Sequence, residues 1–416
     1  MPRNNLLKLF ALGVVIFVTY LYMQQCIRGK DIDKRFADRP GKSESLDNSL
    51  IRHQAGNCNK TFLIYGMKPY WKKFLTFKFM SRYRYLINFP REISCPDLNC
   101  HVYLKFSEQA KDLGGVDVVI FTNNNEWLSL DMWKWTIGNR TDGQKWIFIS
   151  TDSPRFSSGL RPPDQYADLA YDWFASYKLD SDIYQPYGFY KPYKQPHSKQ
   201  IDLKKFVTGK IHFIAWMSSS CNSLPWNRVQ FADELKSLIH MDTYGACGDT
   251  PVPWHNEKVV RGVLSNYKFY LSLENSCCVD YITEKFWRSL DFGLVPVVVG
   301  ASYEQYLKVA PPKSFVHVDQ FQSIQKLAEY LILLHNDDEK YLEFHRWRNL
   351  GEVVSYNQDE KYISPLMNNI QCAILENLLA PNLEKSEKVD FLGSKWSESC
   401  GFCGHHEWIQ HFQPQT

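Results

Sequence analysis

The sequence lacks a strong excess of charge of either sign. Its 416 residues include 48 lysines and arginines against 45 aspartates and glutamates, a formal net charge of +3. So small an excess argues against nucleic acid and against an acidic membrane surface as a partner. The sequence also has no visible internal repeat, and no low-complexity tract follows residue 54. It does have 44% hydrophobic and 15% aromatic residues, enough for two domains of ordinary size.

A long apolar run lies near the N-terminus, where residues 9–23 carry no charge. About 20 apolar residues cross a bilayer, and a shorter run suffices for a thin one. A cleaved signal peptide is the alternative, but no small-residue cleavage site follows convincingly. We therefore predict a cytosolic tail at residues 1–8, a transmembrane signal anchor at 9–25 and a flexible stem at 26–56.

Apolar, β-rich segments alternate with helix-permitting stretches along the rest of the chain. Such alternation is typical of a parallel sheet with helices on its faces. The pattern begins near residue 57 and restarts near residue 202. We therefore predict an α/β protein with two Rossmann-like domains, at residues 57–200 and 201–360, followed by a C-terminal extension at 361–416.

The most informative segment is residues 267–300, YKFYLSLENSCCVDYITEKFWRSLDFGLVPVVVG. Its first strand ends in polar residues, and a loop then leads to Tyr281, Glu284 and Lys285 at the start of a helix. A helix N-terminus offers unpaired N–H donors and partial positive charge, so with Lys285 it is suited to a diphosphate. Glu284 is suited to accept hydrogen bonds from sugar or ribose hydroxyls. Taken alone, such a Glu-Lys pair is more often a solvated helix turn.

The string DYITEK at 280–285, with Glu274 and Asn275 before it, resembles the signature of the α1,3/α1,4-fucosyltransferases, glycosyltransferase family 10. The resemblance covers residues 146–347 and implies the GT-B fold, in which two Rossmann-like domains with parallel sheets face each other. It also implies that the second domain binds GDP-fucose. Four residues match family positions that contact this donor: Asn275, Tyr281, Glu284 and Lys285.

Two upstream segments are also similar to the family. In AWMSSSCNSLPWNRVQF, residues 215–231, Arg228 matches a donor-binding arginine, and a guanidinium can grip pyrophosphate oxygens in a bidentate manner. Without the family match, an exposed arginine on an amphipathic helix would be the better interpretation. In KWIFISTDSP, residues 145–154, Asp152 stands where the family normally has a glutamate, proposed as the general base.

Aspartate is one methylene shorter than glutamate. Asp152 must therefore stand closer to the acceptor hydroxyl to reach it, at about 2.6–3.2 Å. Another carboxylate serving as the base, and a turn or helix cap at Asp152, remain alternatives.

Asp180, Ser181 and Asp182 form a D-x-D triplet. In metal-dependent glycosyltransferases of a different fold, such a triplet holds a divalent cation on the nucleotide diphosphate. The surrounding string SYKLDSDIYQPYG instead resembles a family block on the acceptor side, and we interpret it as structural. With Arg228, Lys285 and backbone N–H groups facing the diphosphate, we expect no metal site and no required cofactor, and a divalent cation at most stimulates the reaction.

Eleven cysteines and two sequons suit a lumenal protein. Asn59 and Asn139 are the candidate glycosylation sites. A zinc site formed by the terminal CxxC with His405 and His406 is the weaker alternative, because adjacent histidines suit one tetrahedral metal poorly. The resemblance implies that the CxxC cysteines staple the tail to the body. The disulfide candidates are Cys58, Cys95, Cys100, Cys400 and Cys403.

The resemblance implies a single-pass type II Golgi membrane protein with a lumenal catalytic domain. It implies inverting transfer of L-fucose from GDP-β-L-fucose to a hydroxyl of N-acetylglucosamine in a glycoprotein N-glycan, forming an α1,3 linkage. Two alternatives stay open: a protein O-fucosyltransferase of the same fold, and an inactive lumenal binding protein. The expected partners are GDP-fucose, the N-glycan acceptor and, through the anchor, the membrane; a homodimer is left open and nucleic acid is not expected.

Overall fold

The computed structural model describes residues 58–65, 90–122, 129–156, 162–166, 171–195, 200–221, 225–253, 256–355, 360–380 and 396–413. The predicted cytosolic tail, anchor and stem, residues 1–56, lie outside this part of the chain. Among the residues described, no helix combines the length and the apolar character that crossing a membrane requires.

A seven-stranded sheet is built from the first half of the chain. Its strand order is β2-β3-β1-β4-β5-β6-β7, and all neighbouring pairs are parallel except β2 with β3. Apolar strand centres such as Phe121 and Phe148 are fully buried, which places this core on the sheet. The elements are β1 Cys58–Tyr65, β2 Arg91–Cys95, β3 Cys100–Ser107, β4 Val118–Thr122, α1 Leu130–Gly138, β5 Lys145–Ser150, β6 Trp173–Ser176 and β7 Ile183–Tyr184.

A second sheet of five strands, all parallel, has the order β10-β9-β11-β12-β13. Its central strand β11 is buried at every residue, as expected of a strand covered on both faces. The two sheets, parallel apart from the β2–β3 pair, confirm together with their helices the predicted α/β fold class. The elements are β9 His212–Met217, α2 Arg228–Leu238, β10 Met241–Tyr244, α3 Glu257–Leu264, β11 Tyr267–Leu273, α4 Glu284–Asp291, β12 Val295–Val299, α5 Tyr303–Val309, β13 Val316–His317, α6 Ile324–Asn336 and α7 Asp338–Glu343.

After the second sheet the chain returns to the first half. Strand β8, Gly188–Pro192, pairs antiparallel with β14, Gly351–Ser355. Helix α8, Glu360–Leu379, follows, and its apolar residues Ile370 and Ile374 pack on the core of the first sheet. Residues 361–379 of the predicted C-terminal extension thus form a helix that packs on the first half. A short last helix, α9, spans Glu407–Gln410.

Among the described residues, five disulfides join separate segments of the chain. Each of the five candidate cysteines is bonded, and Cys400 and Cys403 bond to the adjacent Cys278 and Cys277. A disulfide stabilises chiefly by restricting the unfolded chain, more so for long loops. Cys26 lies outside the described residues. The pairs are Cys58–Cys100, Cys95–Cys372, Cys221–Cys247, Cys277–Cys403 and Cys278–Cys400.

Candidate active site

The candidate site lies where segments that follow strands of both sheets meet. Asp152 follows β5 of the first sheet, and Tyr281 lies in the loop between β11 and α4 of the second. The Tyr281 hydroxyl donates a hydrogen bond of 2.9 Å to Asp152 Oδ1. Beside it, Ser276 Oγ donates to Ser153 Oγ at 2.6 Å. The structure therefore brings the candidate base into direct contact with a candidate donor-binding residue.

A buried carboxylate organises the start of helix α4. Glu274, fully buried after β11, accepts hydrogen bonds through Oε1 from the Thr283 N–H and through Oε2 from Thr283 Oγ1, both at 2.8 Å. Its own backbone carbonyl accepts from Trp226 Nε1 at 2.9 Å. The residue therefore ties the end of β11 to the N-terminus of α4, where N–H groups need partners.

Lys285 lies in the first turn of α4 with three oxygens around its ammonium. Lys285 Nζ lies 3.0 Å from Glu274 Oε2, 2.8 Å from Thr283 Oγ1 and 3.3 Å from Glu284 Oε1. Burial disfavours its charged form, but Glu274 and Glu284 outweigh burial and raise the pKa of Lys285. A fixed cation at a helix N-terminus suits an anionic ligand.

The pKa values of the two carboxyl groups beside Lys285 shift in opposite directions. Burial raises the pKa of Glu274 above its ordinary value, although Lys285 opposes the rise. For Glu284, burial also favours the neutral form, but Lys285 and Arg288 outweigh it and lower the pKa to about 2. Glu284 therefore stays ionised at any ordinary pH and is able to accept hydrogen bonds from hydroxyls.

Arg228 begins helix α2 and lies behind this cluster. Its guanidinium donates to the backbone carbonyls of Leu273, at 3.1 Å, and Ser220, at 2.8 Å. Nε of Arg228 has no hydrogen-bond partner among the described residues, although the side chain is buried. Burial lowers the pKa of Arg228, and Glu274 opposes this. The guanidinium thus clamps the end of β11 while adding positive charge to the site.

Asn275 lies directly after Glu274 and is half-buried. Its Oδ1 accepts a hydrogen bond from Ser276 Oγ at 3.1 Å. The structure therefore places all six predicted site residues in one region, from Asp152 at one end to Arg228 at the other. Their roles in binding and catalysis stay predictions.

Three tyrosines lie near the candidate base, Asp152, and the sequence pointed to a role for Tyr281 alone. Tyr177 packs on Tyr281 with ring centroids 4.8 Å apart, and the Tyr187 hydroxyl donates to the backbone carbonyl of Thr151. Burial raises the pKa of all three phenols well above the ordinary value. The three phenols are therefore neutral at ordinary pH, and among them the Tyr281 hydroxyl donates to Asp152. The signal for Tyr177 and Tyr187 was the string SYKLDSDIYQPYG, which contains both.

The D-x-D triplet serves the local fold. Asp182 Oδ2 accepts a hydrogen bond from the Phe174 N–H at 2.8 Å, and Ser181 Oγ lies 2.6 Å from Ser176 Oγ. Asp180 lies at the surface, 3.4 Å from Lys178 Nζ. These contacts agree with the structural interpretation of the triplet. In the part of the chain that the structure describes, no cluster of three or more His, Cys, Asp or Glu side chains is arranged to hold a metal ion.

The two sequons differ in their surroundings. Asn59 is exposed near the start of β1. Asn139 caps the C-terminus of α1, where its Nδ2 donates to the Trp135 carbonyl at 2.8 Å. Glycosylation of either residue stays a prediction.

The C-terminal segment holds the loop that carries the site residues. Beyond the two disulfides from Cys277 and Cys278, the Val279 N–H donates to the Ser399 carbonyl at 2.8 Å and the Gly401 N–H to the Cys277 carbonyl at 2.9 Å. Trp396 packs edge-on against Phe174 with ring centroids 4.7 Å apart. The tail thus fastens this loop to both halves of the protein, which the sequence could not specify because spacing does not reveal disulfide partners.

Protein-family models of fucosyltransferases match both halves of the chain. A model described as "Glycosyltransferase family 10 (fucosyltransferase) C-term" matches residues 207–392, and one described as "Fucosyltransferase, N-terminal" matches residues 59–188.

Among curated proteins, the chain is 39% identical over 223 residues to the 3-galactosyl-N-acetylglucosaminide 4-alpha-L-fucosyltransferase FUT3 of Bos taurus, covering 52% of this chain and 57% of that protein. It is 37% identical over 206 residues to the Glycoprotein 3-alpha-L-fucosyltransferase A of Drosophila melanogaster, covering 49% and 40%. These matches span about half the length of the relatives. Among solved structures, an alpha1,3-fucosyltransferase with GDP-fucose aligns with a TM-score of 0.46 and 16% identity, over 80% of this chain and 94% of that one.

Proposed function

Because the chain belongs to glycosyltransferase family 10, the fucosyltransferases, we propose that it transfers L-fucose from GDP-fucose to a hydroxyl of N-acetylglucosamine in a glycoprotein N-glycan. The names of the two curated relatives support an α-L-fucosyltransferase, with a 4-linkage in one and a 3-linkage in the other. We propose the α1,3 linkage for this chain.

One observation carries the proposal. The N-terminus of α4, with Lys285 and the ionised Glu284, opens next to Tyr281, whose hydroxyl contacts Asp152 from the other half of the protein. A cationic helix N-terminus supports a diphosphate, and a carboxylate on the opposite side supports proton removal from an acceptor. An inactive binding protein would have no need for the second group.

The proposed mechanism is a single displacement. The GDP diphosphate lies against Lys285, with the positive charge of Arg228 behind it, and these cations stabilise the negative charge that grows on the leaving GDP. Asp152 takes the proton of the acceptor hydroxyl as its oxygen bonds to the anomeric carbon of fucose. The bond from that carbon to the diphosphate breaks on the opposite face, so a β-linked donor gives an α-linked product.

Charge neutralisation by Lys285 and Arg228 also underlies the proposal that no divalent cation is required. A cation that stimulates the reaction would act on the diphosphate from the solvent side. Transfer activity after treatment with a chelator measures this directly. We expect at least half of the transfer activity to remain after treatment with the chelator.

We also propose that the protein works in the Golgi lumen as a type II membrane protein, anchored by residues 9–25. The five disulfides support an oxidising compartment, since such bonds persist outside the cytosol. Removal of glycans at Asn59 and Asn139 by an endoglycosidase, seen as a mobility shift, tests exposure to the lumen. A protein that shows no shift and remains protease-accessible in intact vesicles would contradict the proposal.

The acceptor is tested by incubating the full chain with labelled GDP-fucose and three sets of acceptors: N-glycans with an unsubstituted core, N-glycans with galactosylated antennae, and folded glycoproteins. Product analysis after enzymatic glycan release separates glycan-linked from protein-linked fucose. Label that leaves with the glycan supports the proposal. Label that stays on the polypeptide would replace it by protein O-fucosylation.

A further inference from the structure

Glu274 is a buried carboxylate to which the proposed mechanism gives no task. Its side chain is 0% exposed. A Cβ added at Gly300 would lie only 2.8 Å from Glu274 Cγ, so the glycine provides the space that the glutamate occupies. The carboxylate is thus held closely by its surroundings at the end of β11.

Both oxygens of Glu274 are directed at the start of α4. Oε1 accepts from the Thr283 N–H, and Oε2 accepts from Thr283 Oγ1 and from Lys285 Nζ. Thr283 Oγ1 in turn accepts from Lys285 Nζ at 2.8 Å. A closed set of short contacts therefore links Glu274, Thr283 and Lys285.

An ammonium has three N–H donors, and three protein oxygens surround that of Lys285. These oxygens differ in how easily a ligand replaces them. The side chain of Glu284 is 25% exposed and has the longest contact, 3.3 Å. Glu274 is 0% exposed with a contact of 3.0 Å, and Thr283 is also buried. An incoming phosphate oxygen therefore replaces Glu284 and leaves the two buried contacts in place.

We propose that Glu274, acting with Thr283, is a positioning residue that holds the Lys285 ammonium toward the donor diphosphate, and that Glu284 is the partner which the diphosphate displaces. Once displaced, the Glu284 carboxylate turns to the hydroxyls of the sugar or ribose. Occupation of the diphosphate site thereby prepares recognition of the rest of the donor. This inference rests on the proposed function, since it assumes a nucleoside diphosphate sugar in this cleft.

A positioning role and a purely electrostatic role of Glu274 predict opposite effects of its removal on the binding of GDP. If Glu274 acted only as a nearby negative charge, its removal would strengthen the binding of an anion. If it fixes the ammonium, its removal leaves Lys285 with the Thr283 hydroxyl and the more exposed Glu284 carboxylate. The ammonium is then drawn toward Glu284, and the nucleotide must break that ion pair without the buried carboxylate to hold the ammonium in place. Binding of GDP then weakens.

The test measures GDP binding by isothermal titration calorimetry on the full chain in detergent, in four forms: wild type, Glu274→Gln, Lys285→Met and the double variant. We expect Glu274→Gln to weaken GDP binding by about tenfold, the size of one charge-assisted hydrogen bond. In the Lys285→Met background the same change should cost less than about twofold, because a positioning residue acts through the group it positions. An equal loss in both backgrounds, or tighter GDP binding by Glu274→Gln, would overturn the inference.

A second pair of variants decides the question if Glu274→Gln fails to fold. Thr283→Val keeps the shape of the side chain and removes its hydroxyl, whereas Thr283→Ser keeps the hydroxyl. The inference expects Thr283→Val to weaken GDP binding by about tenfold and Thr283→Ser to bind like wild type. Equal binding by the valine and serine variants would contradict it. Wild type that binds neither GDP nor GDP-fucose would instead refute the proposed function, which is a separate outcome.

Discussion

Replacement of Lys285 by methionine tests how much the buried ion pair between Lys285 and Glu274 contributes to the free energy of unfolding. Methionine retains much of the side-chain volume but leaves the Glu274 carboxylate, 0% exposed, without its cation. Breaking a buried ion pair by removing one partner costs about 3–5 kcal/mol. We expect the free energy of unfolding to fall by this amount at pH 7.5. As a control, Lys326→Met on the surface of α6 should change it by less than about 0.5 kcal/mol.

The pH dependence of this loss identifies its cause. Burial already raises the pKa of Glu274, and Lys285 opposes the rise, so the methionine variant raises the pKa further. A carboxyl whose pKa in the folded state exceeds its unfolded value favours folding as pH falls, because the folded form binds the proton more tightly. The deficit of Lys285→Met should therefore shrink from pH 7.5 to pH 5.

The assay is thermal unfolding followed by circular dichroism across this pH range, with Glu274→Gln/Lys285→Met measured alongside. The double variant removes both charges and should recover most of the stability that Lys285→Met loses, since replacing a whole buried pair is often tolerated. A single variant as stable as wild type, or a deficit that is independent of pH, would refute this account of the cluster.

Three further predictions concern the same site. Asp152→Glu restores the residue typical of the family but pushes the carboxylate past the Tyr281 hydroxyl, now 2.9 Å away, so we expect the turnover number to fall by about tenfold, measured as fucose transfer. Tyr281→Phe removes that hydrogen bond and should lower turnover by a similar factor, about tenfold, because the phenol no longer holds the Asp152 carboxylate; turnover equal to that of wild type would contradict a role for this contact in catalysis. The pKa of Glu284 is lowered to about 2, so its ionised form contributes to stability, on the order of 2 kcal/mol, above pH 5, and this contribution is lost as pH falls toward 2. Between pH 5 and pH 2 the free energy of unfolding of Glu284→Gln should therefore fall less than that of wild type.

The fold class could be predicted from the sequence because parallel strands that are buried on both faces are short runs of apolar residues. Segments such as Val295–Val299, all apolar, alternate with amphipathic helices, and this pattern needs no knowledge of distant contacts. Glu284 and Lys285 of the DYITEK string begin a helix after a buried strand, as predicted, whereas Tyr281 lies in the loop before that helix. Both features are determined within a few residues along the chain.

Contacts between segments that are distant along the chain could not be predicted from the sequence. Cys95 bonds to Cys372 across 277 residues, and no spacing rule selects that partner. Helix α8 packs on the first sheet although it follows the second. The spacing of Ile370 and Ile374 indicates a buried helix face, but it does not say which core that face joins. Glu274 was visible at the end of its strand, but its role depends on Thr283 and Lys285 folding back onto it.

The central claim is that Asp152 removes the acceptor proton in a cleft that binds GDP-fucose. The direct measurement compares wild type with Asp152→Asn and with the exposed control Asp131→Asn, in fucose turnover at saturating donor and in the Kd for GDP-fucose. The account predicts that Asp152→Asn lowers turnover by about a hundredfold or more while the Kd stays within about twofold of wild type, and that Asp131→Asn changes neither. Turnover by Asp152→Asn equal to that of wild type would contradict the account.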